Sequence, residues 1–437
     1  MVIMEKRKSL KPLFFFFLFS FFSLHFVLAK PVDKKKILSL KDCIALGLKD
    51  KPGLKAAREN LKAYLAEKGM ALSYYFPDLE MDSNYFRGNF FQVEGPLSEI
   101  FPGIFTVYDT QFSANYVFED FGERYAMVGK AEAKVEQASA EFQKKRLAAI
   151  FHISKAYFNL LKAQTVLKLR RDDLRAAQKN LLRAGVLVRT GQRSRIVLSE
   201  AEVACDTAQY NLLRAKHQIV DAENHLNQEM GLPNSSHYQI KNETHLFSIH
   251  FSLVKALALA FRLNPDLLAQ KAKVKESQAE IAEAAAKKWP VLSGSASYGW
   301  VDEVFPPKFS TWTFGISLNW PFFNGGRLNE EISAAKALKK RAEDKENALI
   351  LRIENRIEQN YMAVRDAHAE LKASKIEYKA SEENYRLAVE RYKFGLASSV
   401  NLAFARANLS LAAVHRAQAQ SDLRISEAAV YYSIGLP

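Results

Sequence analysis

The chain repeats itself. Ser39 matches Ser252, Pro52 matches Pro265, Pro77 matches Pro290 and Tyr85 matches Tyr298, each pair 213 positions apart. From Phe118 and Phe322 onward the offset is 204, through Gly122 with Gly326, Tyr157 with Tyr361 and Gly191 with Gly395. It holds to Gly231-Leu232-Pro233 and Gly435-Leu436-Pro437. The nine-residue difference falls between Tyr85 and Tyr108, so the first copy carries a longer loop there and nowhere else. Self-similarity on this scale means one structural unit used twice. The first copy covers 30–233, the second 251–437, with a polar link at 234–250.

Each copy predicts the same elements in the same order. A short amphipathic helix ends before a proline, and that proline starts a second helix, giving helices over 39–73 and 252–288. Two strands follow, near 77–92 and 105–118 in the first copy and near 290–302 and 309–321 in the second. A long helical hairpin closes each copy, over 122–231 and 326–434. Residues 122–190 and 327–394 contain no proline and almost no glycine. Ile350, Ile353, Ile357, Tyr361, Val364, Ala367 and Leu371 recur at spacings of three and four, a coiled-coil seam. About 70 helical residues span about 100 Å at 1.5 Å per residue, the length of a rod or of the wall of a tube.

The strands have two unlike faces. In TWTFGISLNWP, Trp312, Phe314, Ile316, Leu318 and Trp320 alternate with Thr311, Thr313, Gly315, Ser317 and Asn319. A transmembrane β-strand needs about 9–11 residues, aromatic side chains at both interfaces and a polar inner face. In the first copy Tyr108, Phe112 and Tyr116 take the lipid side with Thr110 and Ala114, and Asp109, Gln111 and Asn115 take the lumen side with Ser113; Asn319 joins them from the second copy. The partner strands alternate more weakly: Leu79, Met81 and Tyr85 against Glu80, Asp82 and Asn84, and Leu292, Ala296, Tyr298 and Trp300 against Ser293, Ser295 and Ser297. Four strands leave open edges that hydrocarbon does not tolerate, so other copies of the chain have to complete a barrel.

Lys6, Arg7, Lys8 and Lys11 precede an apolar run from Leu13 to Leu28, and Val27-Leu28-Ala29 offers a cleavage site. Residues 1–29 therefore read as a secretory signal peptide. The whole chain carries +14, of which residues 1–29 hold +3, leaving +11. These bases are scattered among acids along helical stretches, which fits solvated helix faces and not a nucleic-acid interface. Cys43 and Cys205 lie in separate helical segments, as small core residues or as a pair in an oxidising compartment.

In their order and duplication, these features resemble the TolC-type outer-membrane efflux proteins (outer membrane factors), over essentially all of 38–437. The likeness rests on the openings LSLKDCIALGLKDKPGLKAA and FSLVKALALAFRLNPDLLAQ, the junction NWPFFNGGR, the turn YKFGLASSVNL and the paired GLP ends. It implies a mainly α fold with a four-strand β segment in each chain. It also implies a homotrimer sharing a twelve-stranded outer-membrane β-barrel, continuous with a long periplasmic α-helical barrel. The implied partners are a periplasmic adaptor, an inner-membrane pump and outer-membrane lipid, in a Gram-negative bacterium.

The resemblance makes the turns 189–194 and 393–398 the periplasmic tips, with Gly191, Gln192, Gly395, Leu396 and Ala397 as adaptor-docking candidates. The glycines also read simply as helix terminators. The family often places an aspartate just past this turn; Asn401 and Val197 stand there, so an acidic constriction is not expected at that position. The first-copy loop 87–104, with Phe90, Phe91 and Phe101 and flanked by Phe105, would face the outside of the cell.

No enzymatic chemistry is legible. HExxH, GxSxG and CxxC are absent, and Gly129-Lys130 lacks the upstream glycine of a phosphate loop. His237, His245 and His250 match no metal-site spacing. No cofactor or metal is expected. Three readings stay open: the exit duct of a tripartite efflux system, the duct of a type I protein secretion system, and a periplasmic coiled-coil scaffold without a barrel. Uniform polarity would suit the scaffold; Trp312 and Trp320 on one exposed face do not.

Overall fold

The computed structural model describes residues 37–89, 104–236, 238–242 and 251–437. The signal-peptide reading, most of the first-copy loop and the three linker histidines fall outside those residues. The first copy runs β1 (Ile37–Leu38), α1 (Leu40–Asp50), α2 (Pro52–Ser73), β2 (Asp78–Asn89), β3 (Ile104–Glu119), α3 (Glu123–Arg189) and α4 (Arg195–Met230). The second runs β4 (Gln239–Ile240), α5 (Leu253–Leu263), α6 (Pro265–Ala286), β5 (Val291–Asp302), β6 (Phe309–Asn319), α7 (Arg327–Lys393) and α8 (Ser399–Ile434). Equivalent helices have equal lengths: 11, 22, 67 and 36 residues in both copies.

Local chemistry sets these boundaries. Ser39 caps α1 in a closed capping box with Asp42, and Ser252 caps α5 through the Lys255 amide. Pro52 and Pro265 stand in the first turn of α2 and α6, where a missing N–H leaves no bond unmade. Asn264 accepts from the amides of Asp266 and Leu267, and its Nδ2 donates to the Ser433 carbonyl, tying α6 to α8. Gly231 and Gly435 end α4 and α8 in the left-handed region, against the backbones of Lys51 and Asn264. A Cβ at Gly435 would sit 2.6 Å from the Leu263 carbonyl oxygen, so the closing GLP must begin with glycine.

The helices form one wall in which α6 and α8 each pack on both α3 and α7, the two long helices. At 67 residues, α3 and α7 are each about 100 Å long. The shorter α2 and α4 line up along α3, and α6 and α8 along α7. Buried alanines such as Ala126, Ala133 and Ala140 line α3, which packs extensively on α6; small side chains let such backbones approach closely.

A second layer lies against one side of this wall. β1 pairs in parallel with β4, joining the copies, and with α1 it covers Ile153, Tyr157 and Leu160 of α3 and Leu226 and Met230 of α4. Gly47 is needed in α1 because a Cβ there would lie 2.3 Å from Ile153 Cδ1. The second copy repeats the arrangement, with Ala256 and Ala260 of α5 on Ile353 and Ile357 of α7. Cys43 belongs to the first cluster and Cys205 is buried in α4; no disulfide joins them.

The two copies are not equally covered. Within the chain, α3 packs on both α6 and α8, whereas α7 has no comparable packing on α2 or α4. Leu147 of α3 is 7% exposed, and its equivalent Leu351 of α7 is 66% exposed. Phe158 is 3% exposed and its equivalent Met362 is 59%. The second copy covers the first, and among the described residues nothing covers the equivalent face of the second.

Candidate functional site

The sheet is antiparallel in the order β2-β3-β5-β6, so the two copies meet along β3 and β5. Its register brings all four apolar faces to one side. Tyr85 lies opposite Tyr108, Met81 opposite Phe112, and Phe112 in turn opposite Tyr298. Tyr298 is opposite Trp312, Ala296 opposite Phe314, Gly294 opposite Ile316 and Leu292 opposite Leu318. Tyr116 joins this face opposite Gly294, where Phe118 covers the space a side chain would fill. One polar pair on it, Ser83 and Thr110, is satisfied internally, hydroxyl to hydroxyl at 2.9 Å.

Among the described residues nothing covers this face: Trp312 is 74% exposed, and Phe314, Ile316 and Leu318 are nearly as open. Trp320 stands one residue past β6, and its indole N–H donates to the Lys288 carbonyl at 3.2 Å. That bond fixes one aromatic end of the band at the helix boundary.

The opposite face is polar through its middle, with Phe86 opposite Val107 and Val301 opposite Phe309 toward one end. Asp109 lies opposite Asn84, Gln111 opposite Asp82, Asn115 between Asp78 and Ser295, and Asn319 opposite Val291. Ser297 and Thr313 share a hydroxyl hydrogen bond of 2.6 Å. Asp78, Glu80, Asp82 and Asp109 all fall on this side by alternation. β2 and β6 are the edge strands, each paired on one side only among the described residues.

The passage from sheet to helix differs between copies. Arg124 Nε donates to Asp120 Oδ2 at 2.6 Å and its Nη1 to the Val117 carbonyl at 2.8 Å, clamping the end of β3 to the start of α3. Between them Phe121 adopts φ 51, a left-handed conformation, and its ring stacks on Trp289 at 5.7 Å. The equivalent position in the second copy is Gly325, φ 62, which adopts that conformation without a Cβ clash.

At the far end of the long helices the two turns are near copies of each other. The amides of Gly191 and Gln192 donate to the Val188 and Leu187 carbonyls, and those of Gly395 and Leu396 to the Tyr392 and Arg391 carbonyls. Both are Schellman motifs, and φ of 71 and 73 explains the glycines. Ser194 and Ser398 then cap the returning helices. The side chain of Leu396 is 70% exposed, beside Ala397, which is half-buried. Phe394 at 80%, Phe404 at 65% and Ile196 at 67% are open as well. These three were missed from sequence, although apolar residues flanking a turn that needs none were the available signal.

Two further polar groupings were not legible in the sequence. Asp173 of α3 meets Arg406 of α8 at 2.9 Å and accepts from the Ser410 hydroxyl at 2.5 Å, with Arg170 bonded to the same Ser410 at 2.8 Å. This joins the two hairpins across 233 residues of sequence. On α8, His415 lies between Glu377 at 2.8 Å and Glu370 at 3.3 Å of α7. Hydrogen bonds to Glu377 and then Glu370 raise its pKa above the ordinary 6.5. Among the described residues no group of three His, Cys, Asp or Glu side chains is placed to hold a metal, and no helix is long and apolar enough to cross a membrane.

Comparison with known proteins agrees with this geometry. The pattern of the family described as Outer membrane efflux protein matches residues 44–232 and 256–436, one match for each copy. The chain is 24% identical over 307 residues to the probable efflux pump outer membrane protein SepC and, equally, to the toluene efflux pump outer membrane protein TtgF, both of Pseudomonas putida. Those matches cover 69% of this chain and 63% of each relative, so the chain spans less than two thirds of the relatives' length. The Campylobacter jejuni CmeC outer membrane channel superposes with a TM-score of 0.80 at 17% identity, over 100% of this chain and 93% of that one, which shows a shared fold.

Proposed function

The chain belongs to the outer membrane efflux protein family, and from that premise we propose that it is the exit duct of a tripartite efflux system, a passive conduit through the outer membrane and periplasm. The observation that carries this reading is the uncovered apolar face of the sheet, rimmed by Tyr108, Tyr116, Trp312 and Trp320, with a polar face behind it and two open edges. Unpaired edges in hydrocarbon cost several kcal/mol per group. Pairing β6 of one chain with β2 of the next repeats the β3–β5 pairing between copies. The same step lays a neighbour's α2 and α4 on α7 as α6 and α8 lie on α3, covering Leu351 and Met362. Three copies give a homotrimer with twelve strands and a continuous helical tube.

In this arrangement Phe112, Phe314, Ile316 and Leu318 meet lipid, and Asp109, Gln111, Asn115 and Asn319 keep the bore wet. The tips at Gly191, Gln192, Gly395, Leu396 and Ala397, with Phe394 beside them, receive a periplasmic adaptor, through which an inner-membrane pump supplies the energy. A scaffold without a barrel leaves the apolar sheet face unexplained, since a soluble rod has no use for it. The test is expression in a Gram-negative host, with membrane fractionation and an unheated gel. An outer-membrane species that heat dissociates, near three times the mass of the mature chain, supports the duct; a soluble periplasmic monomer refutes it.

A further inference from the structure

A recess of about 500 Å³ lies over α3 between α4 and α8. Lys162 and Arg170 of α3 and Arg214 of α4 line it, with amide side chains such as Asn211 and Gln218 and the apolar Val166. No acidic side chain lines it. Arg170 is held by Asp173 and Ser410, whereas Lys162 and Arg214 have no ion-pair partner among the described residues. Two unneutralised cations therefore stand in one concave, partly apolar site of a size that suits a small organic ligand.

The side of the wall it opens on follows from helix geometry. Tyr157 of α3 points into the second layer, where its hydroxyl donates to the Lys241 carbonyl. Val166 comes nine residues later, about two and a half turns, and so faces the opposite side. A tube with an open bore keeps its second layer outside, which turns the recess inward. This step rests on the duct reading above.

The duplication supplies an internal contrast. At the 204 offset, Lys162, Arg170 and Arg214 correspond to Asp366, Ser374 and Gln418, so the second copy lacks all three cations. The basic character belongs to the first copy alone and is no by-product of the repeated fold.

We propose that this recess is a binding station in the bore for amphipathic organic anions, with Lys162 and Arg214 each meeting a carboxylate and Val166 against the ligand's hydrocarbon body. Charge-assisted bonds of this kind outweigh neutral ones, so a dianion is favoured over its neutral counterpart. The probe is naphthalene dicarboxylate, with naphthalene dimethanol as the uncharged control, applied to the full chain purified from outer membranes and inserted in planar bilayers. The dicarboxylate is expected to reduce conductance, with a half-blocking concentration about tenfold higher in the Lys162→Gln/Arg214→Gln variant. Asp366→Asn is expected to leave the block unchanged. The double variant should still run as the heat-dissociable oligomer, which separates a lost site from a lost fold. Equal block by the dimethanol, equal block of the double variant, or open pores without block would overturn the station and leave the duct standing. Failure of the wild-type chain to form pores would overturn the duct and the station with it.

Discussion

Ile316→Arg tests the membrane reading where it is most exposed to failure. Ile316 is four residues from both Trp312 and Trp320, about 14 Å from each at 3.4 Å per residue, and thus at the middle of the band. Its side chain is 64% exposed, so in the isolated chain an arginine there meets no steric obstacle. At a bilayer midplane on a lipid face the substitution costs about 2–4 kcal/mol, falling to about 0–1 near the interfaces. With one arginine per chain a trimeric barrel would lose about 6–12 kcal/mol if the three act independently. Leu318→Arg, two residues nearer Trp320, should cost less. Ser317→Arg points to the polar face opposite Ser293 and should cost close to nothing. The assay is urea-dependent folding into lipid vesicles, with the fraction of oligomer on unheated gels as a second readout. The order expected is Ile316→Arg worst, Leu318→Arg intermediate and Ser317→Arg near wild type. If Ser317→Arg were as damaging as Ile316→Arg, or Ile316→Arg were silent, this face would not be the one that meets lipid.

Three other outcomes are expected. Leu396→Ser should leave oligomer stability within about 0.5 kcal/mol of wild type, because only its backbone N–H takes part in the turn; cross-linking to the adaptor should fall, and unchanged cross-linking would remove Leu396 from the docking surface. At the first sheet-to-helix junction, Phe121→Gly should be more stable than Phe121→Ala by about 1–2 kcal/mol, since alanine keeps the left-handed strain and loses the stacking on Trp289; thermal dissociation of the two variants measures the difference. Because the folded pKa of His415 is raised by Glu377 and Glu370, its stabilisation is complete below the ordinary 6.5 and fades as pH rises through the folded value. His415→Gln should flatten that stretch of the stability-versus-pH curve, and an unaltered curve would show that the contact with the two glutamates is not maintained in solution.

Much of the architecture could be read from local pattern. Alternation at 312–320 and proline-free runs of helix formers reflect interactions within a few residues, so the strand Phe309–Asn319 and the 67-residue α3 and α7 announce themselves in the chain. Ser39, Pro52, Gly191 and Gly395 likewise mark ends that local hydrogen bonding dictates. Phe121 is the exception: nothing in its type signals a left-handed residue, and the repeat partner Gly325 was the available clue.

The sequence by itself determined that this is a duplicated, mainly helical chain with four two-faced strands, because periodicity and capping are short-range and survive in one dimension. Only the tertiary structure decided that the strands order as β2-β3-β5-β6 with one common apolar face, that Asp173 is joined to Arg406 and Ser410, and that Lys162 and Arg214 share a recess without a counter-charge. Those are meetings of residues tens to hundreds of positions apart. They follow from how the helices and strands pack and from which ends the turns bring together, and no local pattern encodes them.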